Sequence, residues 1–130
     1  MKIMVCYDTI YGGDKVLALA KKHARAFNGK VYIATVLIGS DVDQLDNIES
    51  AKKMLADAEA QFHNEGIPVE TKLMFGGLSA GESLVDYANE NKIDEIIIGT
   101  RKKSKLGKLI FGSTAQYVIL EASCPVITAR

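Results

Sequence analysis

Short β-rich runs alternate along this chain with longer stretches of helical periodicity. Ile3-Met4-Val5-Cys6-Tyr7 reads as a first strand. After Gly12-Gly13-Asp14, apolar residues at Val16, Leu19, Ala20, Ala24 and Phe27 recur at helical spacing until Asn28-Gly29 ends the stripe. Val31 to Ile38 predicts a second strand, followed by a loop at Gly39-Ser40-Asp41. Leu45, Ile48, Leu55, Ala58 and Phe62 then mark a long amphipathic helix that Gly66 closes. Val69 to Phe75 is a third strand, begun after Pro68 and broken by Gly76-Gly77. Leu84, Val85, Tyr87 and Ala88 lie on a third helix. Ile93 to Ile98 reads as a fourth strand, an apolar run of the kind buried on both faces. Ala115, Val118, Ile119 and Ala122 belong to a fourth helix, and Pro125 leads into a last strand at Val126-Ile127-Thr128.

Strands alternating with helices of this length predict a single α/β domain over residues 1–130. Its parallel sheet is doubly wound, with right-handed crossovers and helices on both faces. Ligands of such sheets bind beyond the carboxyl ends of the strands, where the strand order reverses. The loops at 7–14, 38–43, 75–81 and 99–112 are therefore the places to look for a site.

The last of these loops stands out chemically. Between Gly99 and Gly112-Ser113-Thr114 it carries Arg101, Lys102, Lys103, Lys105 and Lys108 and no acid. The whole chain has sixteen cations and sixteen acids, so setting those five aside leaves eleven cations against sixteen acids. A strand, a cationic loop and a helix start follow one another here. The unpaired N–H groups and partial positive charge of a helix N-terminus suit an anion such as phosphate. The bland alternative is a solvated basic face. Against it, Gly112 permits close backbone approach and Ser113 adds a hydroxyl beside the free N–H groups.

Composition narrows the class without naming a ligand. At 48% hydrophobic and 25% charged, the chain is that of an ordinary globular protein. Zero net charge provides no global attraction to nucleic acid or to an anionic membrane. The start at Met1-Lys2-Ile3-Met4-Val5 runs straight into a strand pattern, which predicts no signal peptide. No apolar run nears the roughly 18 residues of a membrane span. Cys6 and Cys124 form no C-x-x-C pattern and read as two buried reduced thiols, which places the protein in the cytoplasm.

Several familiar motifs fail. Gly107-Lys108 is followed by Leu109, so no Walker A loop exists, and Asp8-Thr9-Ile10-Tyr11-Gly12-Gly13 is not a dinucleotide fingerprint. Gly77-Leu78-Ser79-Ala80-Gly81 matches a nucleophile elbow, yet His23 and His63 both precede Ser79 and no triad order results. Ser79 with Glu82 instead makes a capping box. The two histidines have no ligand-spaced partners for a metal. Asp41, Asp43, Asp46 and Glu49 suit a helix start. Asp8, at the tip of the first strand, is placed either to accept hydrogen bonds from ribose hydroxyls or to cap the first helix, and its position alone does not choose.

Taken together, these residues resemble a known group. Asp8 at the first strand end, Gly99 at the fourth, Gly112-Ser113 before the last helix and the closing Cys124-Pro125-Val126-Ile127-Thr128 are similar to a universal stress protein domain over essentially the whole chain. The ATP-binding branch of that family carries G-x2-G-x9-G-[ST]. Gly99, Lys102 and Gly112-Ser113 keep this spacing, with Lys102 standing where the second glycine belongs. The resemblance implies a five-stranded sheet of the adenine nucleotide alpha-hydrolase-like kind and a homodimer formed through the last strand. It also implies that Asp8 contacts ribose and that Val36 contacts adenine through its backbone. Gly99, Gly112 and Ser113 would line the phosphates, and Thr114 would add a backbone N–H. Lys102 either crowds the phosphates or neutralises them. The function so implied is that of a cytoplasmic regulatory protein of stress response or signalling. It would bind ATP or another adenine nucleotide, with or without Mg2+, and hydrolyse ATP slowly at most. The alternative is an interaction module of the same fold that binds no nucleotide and docks an acidic partner on its basic loop.

Overall fold

The computed structural model describes residues 1–8, 13–39, 45–77, 79–100 and 111–130. In chain order these residues form β1 (Lys2–Cys6), α1 (Gly13–Phe27), β2 (Lys30–Leu37), α2 (Leu45–Asn64), β3 (Val69–Phe75), α3 (Ala80–Glu90), β4 (Glu95–Gly99), α4 (Ser113–Glu121) and β5 (Val126–Ala129). The strands make one sheet in the order β3-β2-β1-β4-β5, and every neighbouring pair is parallel. From β1 the chain builds outward to β3, then crosses back to β4, so the order reverses between β1 and β4. Cys6 pairs with Ala34 on one side and with Ile98 on the other.

Strand alternation divides the core into two layers. Ile3, Val5, Val31, Ile33 and Ile97 face α1 and α2, where Val16, Leu17, Ala20, Leu55 and Phe62 close over them. Met4, Cys6, Tyr32, Ala34, Ile96 and Ile98 face α3 and α4, meeting Leu84, Val85, Ala88, Ala115 and Val118. The central strands are thus buried on both sides, which is why β1 and β4 carry continuous apolar runs. Each fully buried Ile, Val or Leu contributes about 1.5–3 kcal/mol relative to exposure.

The structure departs from the periodicity reading at several places, among them Leu45 and Ile119, which fall in the apolar stripes and are exposed. β4 begins at Glu95 rather than at Ile93. Ile93 is buried, and its N–H donates to the Ala88 carbonyl at 2.9 Å, so it belongs to the end of α3. Glu95 is only 7% exposed, a carboxylate inside what read as an apolar run, and it meets His23 of α1. Phe27, at the last turn of α1, is 54% exposed, whereas Leu17, near the start of the helix, is buried. Its ring meets His23 edge-on at 5.8 Å.

The loops at the carboxyl ends are tied together. The Gly39 N–H donates to the Gly77 carbonyl at 2.8 Å, and both glycines have φ of +58°, a left-handed conformation that disfavours side chains. Ser79 caps α3 as its sequence predicts, its hydroxyl accepting from the Glu82 N–H at 3.3 Å.

Candidate functional site

A cleft of about 790 Å³ opens beyond the carboxyl ends of the strands, over the point where the strand order reverses. That size and position are those of a small-molecule site in an open parallel sheet. Its floor is apolar, built from Ala34, Leu84, Ile98 and Ala115 together with the Cys6 thiol. Polar groups stand on the walls: Asp8 beyond β1, Thr35 in β2, Asn47 and Ser50 on α2, and Ser113 and Thr114 on α4.

The residues expected from sequence converge on this cleft. Asp8, Val36, Gly99, Gly112, Ser113 and Thr114 all line it, although they come from four separate elements. Register explains the meeting of the first and fourth strands: Cys6 lies opposite Ile98, so the residues just beyond it reach the level of Gly99 and Thr100. Lys102 and the other cations of the basic loop lie outside the described residues, as do Asp41 and Asp43.

The α4 N-terminus brings the electropositive end of a helix to the cleft. Gly112 is its N-cap in an extended conformation (φ −68°, ψ 161°) and makes no side-chain cap hydrogen bond. Having no side chain, it cannot itself cap the first-turn N–H groups beside Ser113 and Thr114. Those N–H groups have no carbonyl partner within the helix and carry about half a positive charge between them. An oxyanion placed there gains hydrogen bonds that the helix itself cannot provide.

The opposite wall was not legible as a site. Asn47, Ser50 and Met54 share one flank of α2 at spacings of three and four, and that flank covers the cleft. The spacing is present in the sequence, but nothing local tells which flank of α2 meets the sheet edge. Thr35 and Cys6 were likewise absent from the expected set. Thr35 is a buried polar residue, and its hydroxyl donates to the Tyr7 carbonyl at 2.8 Å. Burial, with a contribution from Cys124, pushes the Cys6 thiol up to about 12. The thiol is therefore protonated at neutral pH and acts as an apolar surface. Burial also raises the Tyr7 phenol above its ordinary value, assisted by the Asp14 and Asp57 charges.

Cys6 and Cys124 are both free, Cys6 buried and Cys124 half-buried. Among the described residues no group of three or more His, Cys, Asp or Glu side chains is placed to hold a metal ion. Among them, too, no helix is long and apolar enough to cross a membrane.

Comparison with known proteins agrees with this geometry. The sequence model of the Universal stress protein family matches residues 1–130. A universal stress protein of Thermus aquaticus, described as lying in the QAH/OAS sulfhydrylase 3′ region, is 30% identical, the match covering 98% of this chain and 97% of the relative. A universal stress protein structure from Archaeoglobus fulgidus superposes with a TM-score of 0.86 at 36% identity, covering 100% of this chain and 98% of the other. A second structure from that organism, solved in complex with dAMP, superposes at 0.78 with 29% identity and covers 100% and 98%. With the family pattern matched over residues 1–130 and the fold shared with solved universal stress proteins, this chain belongs to the universal stress protein family.

Proposed function

We propose that the cleft binds an adenine nucleotide, ATP or a shorter form such as AMP, and that the protein is a cytoplasmic regulator of stress response or signalling that works as a homodimer. One observation carries this reading. Asp8, Gly99 and the Gly112-Ser113-Thr114 start of α4 surround one apolar-floored cleft at the strand-order reversal. The base fits the apolar side near the Val36 backbone, and the ribose hydroxyls face the Asp8 carboxylate. The phosphates fit the α4 N–H groups, with the Ser113 and Thr114 hydroxyls beside them. Lys102 takes part as a cation that neutralises phosphate charge. The Archaeoglobus fulgidus relative crystallised with dAMP supports the same ligand class. Any Mg2+ arrives with the phosphates, since Mg2+ is held mainly by phosphate oxygens and water in such sites.

Support for the dimer comes from the sheet edge. Among the described residues β5 has one strand neighbour, β4, and Ile119 and Leu120 of the preceding α4 are exposed, Leu120 by 79%. An edge strand, together with exposed apolar residues on the helix before it, suits a second copy.

Calorimetric titration with ATP and AMP tests the nucleotide reading. Saturable heat is the expected result, and a folded protein giving no heat up to about 1 mM ligand overturns it. Sedimentation equilibrium tests the assembly: the wild type is expected to be dimeric and Leu120→Glu monomeric, while a monomeric wild type removes the dimer from the proposal.

A further inference from the structure

We infer that Thr35 is a positioning residue for ribose recognition, acting through the Tyr7–Asp8 peptide. The inference rests on the nucleotide reading above and assigns the control of its sugar end to a residue on a different strand. Thr35 is 8% exposed, and its hydroxyl donates to the Tyr7 carbonyl at 2.8 Å. The Tyr7 N–H donates in turn to the Ala34 carbonyl at 2.8 Å. Both faces of residue 7 are therefore held by consecutive residues of β2.

The consequence for Asp8 follows from peptide geometry. The Tyr7 carbonyl and the Asp8 N and Cα lie in one plane, so an anchor on that oxygen fixes where the Asp8 Cα leaves the sheet. Packing closes the other side. A Cβ placed on Gly13, the first residue of α1, would stand 3.2 Å from the Asp8 carbonyl oxygen and 3.2 Å from Tyr7 Cε1. The Asp8 backbone thus sits between a hydrogen-bonded strand and a close-packed helix start. With its backbone fixed, the carboxylate is presented from one position, an arrangement suited to the two vicinal hydroxyls of a cis-diol.

Val at position 35 would keep the shape of Thr but leave the Tyr7 carbonyl without this donor, so the use of the hydroxyl is the anchor itself.

The test uses AMP and its dideoxy analogue, which keeps base and phosphate and lacks both ribose hydroxyls. Wild type, Thr35→Val, Thr35→Ala and Thr35→Ser are titrated with each by calorimetry. Thr35→Val and Thr35→Ala are expected to weaken AMP binding roughly tenfold and to leave the analogue within about twofold, while Thr35→Ser restores AMP affinity. In an Asp8→Ala background, Thr35→Val is expected to have no further effect on AMP. An equal loss for both ligands, or an undiminished effect in the Asp8→Ala background, would show a structural role only and overturn the inference. A wild type that binds AMP and the analogue equally overturns it too and leaves nucleotide binding standing. A wild type that binds neither removes the nucleotide reading and this inference together. Where Thr35→Val fails to fold, Thr35→Ala decides between these results.

Discussion

Gly81 of α3 packs against Tyr117 of α4 so closely that a Cβ on the glycine would stand 2.7 Å from the tyrosine Cβ. The second glycine of the Gly77-Leu78-Ser79-Ala80-Gly81 run is therefore a helix-crossing residue, and the serine between the two glycines is the α3 cap. Gly81→Ala is expected to destabilise the fold by about 1–3 kcal/mol through overpacking, despite the better helix propensity of alanine. Ser79→Ala is expected to cost about 1 kcal/mol, the worth of one cap. Urea unfolding of the two variants measures both, and a stabilised Gly81→Ala protein would show that the helices separate freely.

The α4 N-terminus and Asp8 make separable contributions to ligand affinity. Ser113→Ala removes one hydroxyl and is expected to weaken AMP by about 0.5–1.5 kcal/mol, while Asp8→Ala removes a charged acceptor and is expected to cost about 1.5–3 kcal/mol. Neither change touches the buried core, so thermal midpoints should stay near the wild-type value. Unchanged affinity in both variants would place the ligand elsewhere.

At the other end of the sheet, His23 Nδ1 lies 2.6 Å from Glu95 Oε1, with the carboxylate side chain only 10% exposed. Removing the imidazole leaves a buried carboxylate without that partner, so His23→Ala is expected to destabilise by about 3 kcal/mol, while His23→Ala with Glu95→Gln recovers part of the loss. Glu95 starts β4 and the cleft lies past its far end, so nucleotide affinity should not change. Denaturant melts and calorimetry of the same samples test both halves.

The Cys6 thiol couples the cleft floor to pH. Its ordinary value of 9.0 is pushed up to about 12 by burial, so the fold holds the protonated form. The sign follows directly: this contribution is whole below about 9, where the unfolded thiol is also protonated, and is lost as pH rises through the folded value. Stability should fall over that alkaline interval and fall less in Cys6→Ala. At neutral pH the half-buried Cys124 should react with a thiol reagent before Cys6 does. Faster labelling of Cys6 would mean that the cleft floor opens.

The sequence carried the β/α alternation, both helix faces of the sheet, the Ser79 cap and one side of the cleft, from Asp8 and Gly99 to the start of α4. These signals are local. Side-chain period distinguishes strand from helix, and position marks strand tips and helix starts as candidate sites, while the role of Asp8 there comes from the family resemblance. Phe27 shows the limit: it continues the apolar period of α1, yet it falls at the helix end, where the last turn has passed the edge of the core.

What only the tertiary structure decided is pairing across long separations. The Thr35–Tyr7 hydrogen bond spans 28 positions and the His23–Glu95 contact spans 72, and no periodicity encodes either. The strand order β3-β2-β1-β4-β5 brings Asp8 and Gly99 together, and the docking of α2 turns Asn47 and Ser50 toward the same cleft. Local propensity and pattern determine which elements form and which face of each is apolar. The register between elements is set by packing whole faces against one another, and that register assembles the site.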